Sequence, residues 1–177
     1  RGTFGLDFTA GAVPFLNFDM MGLIPAATPF STNTPTGADF TRWKAPVEVN
    51  VVNTALTLDG FAAITRSIKL SANVGITLRN LIGSRYVNRG NHAMTGQIVI
   101  ETPALATKDY MATLRTSALV ALSLIHGTAT GNVVELAVAA LQITDITESE
   151  EDDKQMWALD VACTVNVGSD DFTIISR

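Results

Sequence analysis

The chain has 177 residues, 16 % of them charged, with a formal charge of −5, a mean hydropathy of +0.27 and one cysteine. A single cysteine excludes an internal disulfide framework, and the acidic balance argues against a protein that works by neutralising phosphates, whose surface has to be basic. The length suffices for one domain with a substantial core, and no apolar run reaches the roughly 18 residues of a membrane span.

In chain order, Arg1 to Leu23 reads as a hairpin. Phe4, Leu6 and Phe8 alternate with Gly5, Asp7 and Thr9. Ala10-Gly11-Ala12 turns the chain, and Leu16, Phe18 and Met20 alternate with Asn17 and Asp19 on the return. A two-residue period is what a strand with one buried face shows. The opening Arg1-Gly2-Thr3, without Met, reads as part of a longer or processed chain. Residues 25–46 then carry four prolines among Thr, Ser and Asn. Proline lacks the ladder donor, so this stretch is expected to be a long extended loop and not a central strand. Phe30, Phe40 and Trp43 make it too apolar for a free linker and mark it as an arm that folds onto another surface, a neighbouring subunit being one candidate.

Val47–Val52 resumes strand character, and Ala55–Gly60 is a short strand closed by the tight-turn pair Asp59-Gly60. Phe61–Ala72 continues with Ile64, Ile68 and Leu70 in one phase. Arg66 falls on that apolar phase, which predicts an edge, a bulge or an interface position. Gly75–Leu78 is a further short segment. Asn80–Asn91, with Arg79 just before it and Arg85 and Arg89 within, reads as a basic loop in an acidic protein. Such a loop suits charge-assisted contact with an acidic segment of a neighbour, or simply faces water. Gly96–Glu101 returns to strand.

Thr102-Pro103 predicts a helix over 104–116, since Pro is favoured in the first turn with Thr before it. Leu105, Tyr110, Met111 and Leu114 form its apolar stripe, with Tyr110 as a further interface candidate. Residues 119–126, 127–131 and 132–146 read as strand, turn and strand. Glu148, Glu150, Glu151, Asp152 and Asp153 read as an acidic loop. It lacks the Gly or Asn that folds a calcium loop, which leaves a solvated segment or a negatively charged rim or lumen. From Trp157 to Val167 every second residue is apolar, with Cys163 in that phase as a small buried hydrophobe. Gly168–Asp171 supplies turn chemistry, and Phe172–Ile175 reads as the returning strand of a hairpin.

Chemistry-bearing patterns are sparse. His92 and His126 are far apart and in no metal-ligand spacing, and neither a Gly-x-Ser-x-Gly elbow nor a phosphate-cradling glycine loop is present. The reading is a non-enzymatic chain without cofactor or metal. Its fold is mainly β, a single domain over 1–177: an antiparallel β-sandwich or barrel with one flanking α-helix and a long extended loop. So sparse a charged surface predicts that other subunits cover part of the exterior.

Several stretches together resemble the tail tube proteins of long-tailed bacteriophages and related prophages. They are Arg1 to Gly11 with Pro14 to Leu23, Leu56 to Gly60 with Ile64 to Asn73, Lys108-Asp109-Tyr110-Met111-Ala112, and Trp157 to Arg177. The resemblance runs nearly end to end and excepts the 25–46 arm and the 148–153 loop. It implies a small β-sandwich or barrel that assembles as a homo-oligomer. Hexameric rings would stack into a hollow tube together with other tail proteins. Phage DNA would pass through the lumen without specific binding and without membrane insertion by this chain. It further implies a place in the virion tail after assembly in the bacterial cytoplasm, with the arm bridging rings. Two alternatives stay open: a tail terminator or secretion-system tube protein, and a carbohydrate-binding β-sandwich that uses the aromatic arm as its platform.

Overall fold

The computed structural model describes residues 1–24, 44–165, 168 and 170–177, and Phe30, Phe40 and Trp43 lie outside them. The strands are β1 (Gly2–Thr9), β2 (Phe15–Met20), β3 (Thr54–Leu58), β4 (Thr65–Ser71), β5 (Ile76–Leu81), β6 (Ser84–Arg89), β7 (Thr95–Glu101), β8 (Leu119–His126), β9 (Val134–Glu151), β10 (Lys154–Cys163) and β11 (Thr173–Ser176), with one helix, α1 (Tyr110–Thr116). Nine strands form one antiparallel sheet in the order β2-β1-β4-β7-β10-β9-β8-β3, with β11 also paired to β9; β5 and β6 make a separate ribbon. The protein is thus mainly β, an antiparallel sheet curled into a half-barrel. Phe8 of β1 and Leu56 of β3, near opposite ends of the strand order, line one apolar cleft of about 280 Å³.

The two-residue periods place the core. Leu6, Phe8, Ile68, Leu70, Ile98, Ile100, Trp157, Leu159, Val161 and Cys163 all bury toward the concave side, where Leu56, Leu58, Leu122, Leu124, Leu136 and Val138 meet them. Cys163 is buried as its phase predicts, and burial pushes its thiol pKa up to about 11. Gly96 lies where β7 crosses β4 so closely that a Cβ would sit 2.1 Å from the Lys69 carbonyl oxygen. At Arg66 the β4–β7 register shifts, so of the three positions predicted for Arg66 the chain adopts the bulge.

Several expected elements differ. Val47–Val52 forms no strand: Val49 exchanges backbone bonds with Gly11 and Ala12, while Asn50 Oδ1 accepts from the Val52 and Asn53 N–H groups and turns the chain. The helix is shorter than 104–116. Asp109 is its N-cap, accepting from the Ala112 N–H at 2.9 Å, and Ser117 ends it in the left-handed region. A side-chain acceptor satisfies an otherwise orphan first-turn donor, so the chain starts its helix at Asp109; Ala104 closes a turn with Thr107 and Lys108 instead. Leu105 is 63 % exposed and lies outside the apolar stripe.

The supposed basic loop at 80–91 is the β5–β6 ribbon, turned at Ile82-Gly83, with Gly83 at φ 88°. The supposed acidic loop at 148–153 is the end of β9 plus a two-residue turn, in which Asp152 and Asp153 take φ of 50° and 61°. Two successive positive φ values make the tight hairpin turn whose twist matches the strands, and Asp tolerates that conformation better than most residues. Finally, β11 is not a returning strand. β10 pairs with β9 from Lys154↔Glu151 to Cys163↔Leu141, and β11 pairs with the next stretch of β9, Thr173↔Ala137 to Ser176↔Val134. Both run antiparallel to β9 on the side away from β8, so β11 resumes the line of β10 along β9.

Candidate assembly surfaces

Three features of the protein stand out from its packed interior. The first is β2, at one end of the strand order, where all six residues are exposed. Leu16 pairs with Leu6, Phe18 with Phe4 and Met20 with Gly2, so these side chains prolong the concave apolar rows beyond the part of the sheet that the core covers. Phe18 is 63 % and Met20 70 % exposed. The outer backbone edge of β2 carries no strand among the described residues. An open edge with apolar side chains is a template for pairing with another chain.

The second is the convex face of the central strands. One row across five of them reads Asp7, Lys69, Gln97, Asp160 and Asp145, each directly opposite the next. Lys69 Nζ lies 3.4 Å from Asp7 Oδ2, and Gln97 Nε2 donates to Asp160 Oδ1 at 2.9 Å. The flanking rows are Thr9, Ser67, Val99, Ala158, Thr147 and Gly5, Ser71, Thr95, Ala162, Gln142. Three aspartates against one lysine, with small neutral neighbours, make a low-relief face of negative sign. Sequence reading missed it because its residues come from five separate strands; the period-two gaps of small and polar residues were its only local signal.

The third is a pair of projections. Arg79, Arg85 and Arg89 are exposed on the β5–β6 ribbon, and no acidic side chain bonds them among the described residues. The ribbon also exposes Leu81 and, at its turn, Ile82. The β9–β10 hairpin exposes Glu148, Glu150, Glu151, Asp152 and Asp153. Glu151 is tied to Arg66 at 2.9 Å, whereas the other four carboxylates form no ion pair among the described residues.

Tyr110 is corrected as an interface candidate: it is fully buried, and its hydroxyl donates to the Leu58 carbonyl at 3.1 Å. Burial, with the Asp59 carboxylate adding to it, pushes its pKa up to about 12. Lys108 pairs with Asp59 beside it, so the start of α1 is tied to the Leu58-Asp59 end of β3. Both histidines are structural anchors. His126 Nδ1 is 2.8 Å from Thr54 Oγ1 and Nε2 is 3.2 Å from the Val47 carbonyl, which fits a neutral ring that donates from Nε2. Burial lowers its pKa. His92 meets Asp171. Among the described residues no cluster of three His, Cys, Asp or Glu is placed to hold a metal ion, and no helix is long and apolar enough to cross a membrane.

The chain matches no protein-family model and no curated protein.

Proposed function

We propose that the chain is a structural subunit that builds the hollow tail tube of a long-tailed bacteriophage or prophage, with stacked homo-oligomeric rings guiding DNA to the host. The observation that carries this reading is β2: a strand edge that is open among the described residues and whose Leu16, Phe18 and Met20 continue the apolar face of the core with no described residue covering them. A single curled sheet that ends in two different strands, β2 and β3, favours head-to-tail contacts, which close into rings or run on as filaments. In this reading the tube is a passive conduit. The convex row Asp7, Lys69, Gln97, Asp160 and Asp145 supports it as a lumen lining, because a face of net negative sign with small side chains gives phosphates nothing to hold. The acidic residues at 148–153 then belong to an end of the subunit and not to the wall of the channel.

Negative-stain electron microscopy of concentrated protein, with and without tail-tip extract, tests the reading. Hollow tubes with a regular ring repeat are expected. Single rings that never stack point to a tail terminator, and protein that stays unassembled under both conditions overturns the tube. The carbohydrate-binding alternative rests on Phe30, Phe40 and Trp43, which lie outside the described residues.

A further inference from the structure

The two charged projections lie at opposite ends of the same strands. β7 runs from Thr95 to Glu101, about 20 Å for a strand of that length. The β5–β6 ribbon leaves β4 after Ser71 and rejoins the sheet at Thr95, and Ser71 and Thr95 are paired. On the other flank of β7, β10 pairs Ala162 with Thr95 and Met156 with Glu101. The Asp152-Asp153 turn that precedes β10 therefore projects beyond the Glu101 end, and the ribbon projects beyond the Thr95 end.

The two ends differ in sign. Between Ile76 and Arg89 there are three arginines and no acidic residue. At the other end Glu148, Glu150, Asp152 and Asp153 are exposed without an ion pair among the described residues, while Glu151 and Glu101 are matched by Arg66 and Lys154. From Ile143 to Glu151, moreover, β9 pairs only with β10, and its other edge carries no strand among the described residues. Acidic side chains along an open edge repel a second copy of the same edge but attract a basic strand. The ribbon supplies such a strand, together with Leu81 and Ile82, which are 50 % and 108 % exposed.

We propose that the acidic β9–β10 end of one copy docks on the basic β5–β6 ribbon of the next, a head-to-tail contact along the strand direction. The contact names a surface for the self-assembly reading and rests on it. The occupant is a second copy because the two charge patterns are complementary and sit at opposite ends of one subunit, the condition for contacts that repeat. Exposed pairs are individually weak, so three arginines with their partners contribute roughly tenfold in association at low salt. That contribution fades as added salt shortens the Debye length below about 8 Å.

Two variants with opposite defects test it. One carries Arg79→Glu, Arg85→Glu and Arg89→Glu. The other carries Glu148→Lys, Glu150→Lys, Asp152→Asn and Asp153→Gly, the last two chosen because Asn-Gly accepts the two positive φ values of the turn. Sedimentation velocity gives self-association, electron microscopy gives tube formation, and thermal melting confirms that each variant folds. If a variant fails to fold, Arg85→Glu alone and Glu150→Lys alone replace the sets.

Wild-type protein is expected to associate more tightly at low than at high salt. Each variant alone is expected to lose about tenfold or more, and an equimolar mixture of the two to regain association, because each reversed end then meets its complement. Variants that associate like wild type overturn the docking contact and leave the tube reading standing. Association with the expected rescue, but never a tube, upholds the contact and removes the tube. Wild-type protein that associates at no salt concentration, with or without tail-tip extract, overturns both. Binding of a DNA duplex that the arginine variant alone loses, with self-association unchanged, assigns the ribbon to nucleic acid instead and overturns the contact.

Discussion

His92 Nε2 and Asp171 Oδ2 meet at 2.6 Å across 79 residues of chain. Asp171 is only 5 % exposed, and this bond ties the residues just before β11 to the segment that leads into β7. Beside it Phe172 packs on Phe4 with ring centroids 5.4 Å apart, so the pair also steadies the first strand. Removing the imidazole leaves a buried carboxylate short of a donor, which costs roughly 1–3 kcal/mol. His92→Ala is expected to lower stability in urea denaturation by that amount, and Asp171→Asn by less, because an amide can still accept from the ring. A loss below about 0.5 kcal/mol for His92→Ala, the size of an ordinary surface substitution, refutes the anchoring role.

His126 makes stability depend on pH. Its ring packs edge-on to Phe8 with centroids 5.9 Å apart and is held between Thr54 and Val47. Burial lowers its pKa below the ordinary value, so on acidification the unfolded chain takes up the proton first. The stabilisation is then full above about pH 6.5, the unfolded value, and is lost as pH falls through the lowered one. Melting temperatures measured from pH 7.5 down to pH 5 are expected to fall more steeply in wild type than in His126→Gln, which has no proton to take up. Parallel profiles rule this out.

Legibility in the sequence followed coverage. Phe4 to Phe8, Ile68 to Leu70 and Trp157 to Cys163 show a clean period of two because one face of each strand is packed and the other is not. The β5–β6 ribbon has no sheet packed over it among the described residues, so nothing forced an apolar phase onto Arg79 to Arg89 and the stretch read as a loop. At 148–153 charge masked a strand end, since side chains past the covered part of β9 are free to be acidic. Val47–Val52 had the composition of a strand and no ladder to join. The direction of β11 was not legible at all: local alternation fixes which face is buried, while only the open edge of β9 beyond Leu141 decides where Thr173 to Ser176 pair. The assembly surfaces were half visible. Arg79, Arg85 and Arg89 were, whereas the Asp7, Asp145, Asp160 face needed the register of five strands.

Gly96 tests how tightly the centre of the sheet is drawn together. A Cβ there would lie 2.1 Å from the Lys69 carbonyl oxygen and 2.9 Å from Leu70 Cα, both backbone atoms that cannot step aside without opening the β4–β7 ladder. Gly96→Ala is therefore expected to destabilise by about 1–3 kcal/mol, the usual cost of overpacking, despite the better strand propensity of any residue with a side chain. Gly75→Ala, where a Cβ meets nothing within 4 Å, serves as the control. Equal unfolding midpoints for the two variants contradict the close approach.

The strongest separation of stability from assembly is expected at β2. Met20 and Phe18 are mostly exposed in the single chain, so replacing both with Lys removes little packing; the loss is the tilted contact of Phe18 with Phe4, whose centroids lie 6.4 Å apart. The double variant should unfold within about 1 kcal/mol of wild type, in the range of surface substitutions plus one weak aromatic contact. Assembly should suffer far more. Covering each large apolar side chain is worth on the order of 1 kcal/mol or more, and two lysines on an edge strand are a natural block to pairing. Phe18→Lys/Met20→Lys is thus expected to remain a folded monomer at concentrations where wild type assembles, read by sedimentation and electron microscopy. If the variant assembles as wild type does, β2 is not the edge through which subunits join. If it unfolds by several kcal/mol instead, Phe18 and Met20 belong to the core of the single chain and the edge has to be sought at β3.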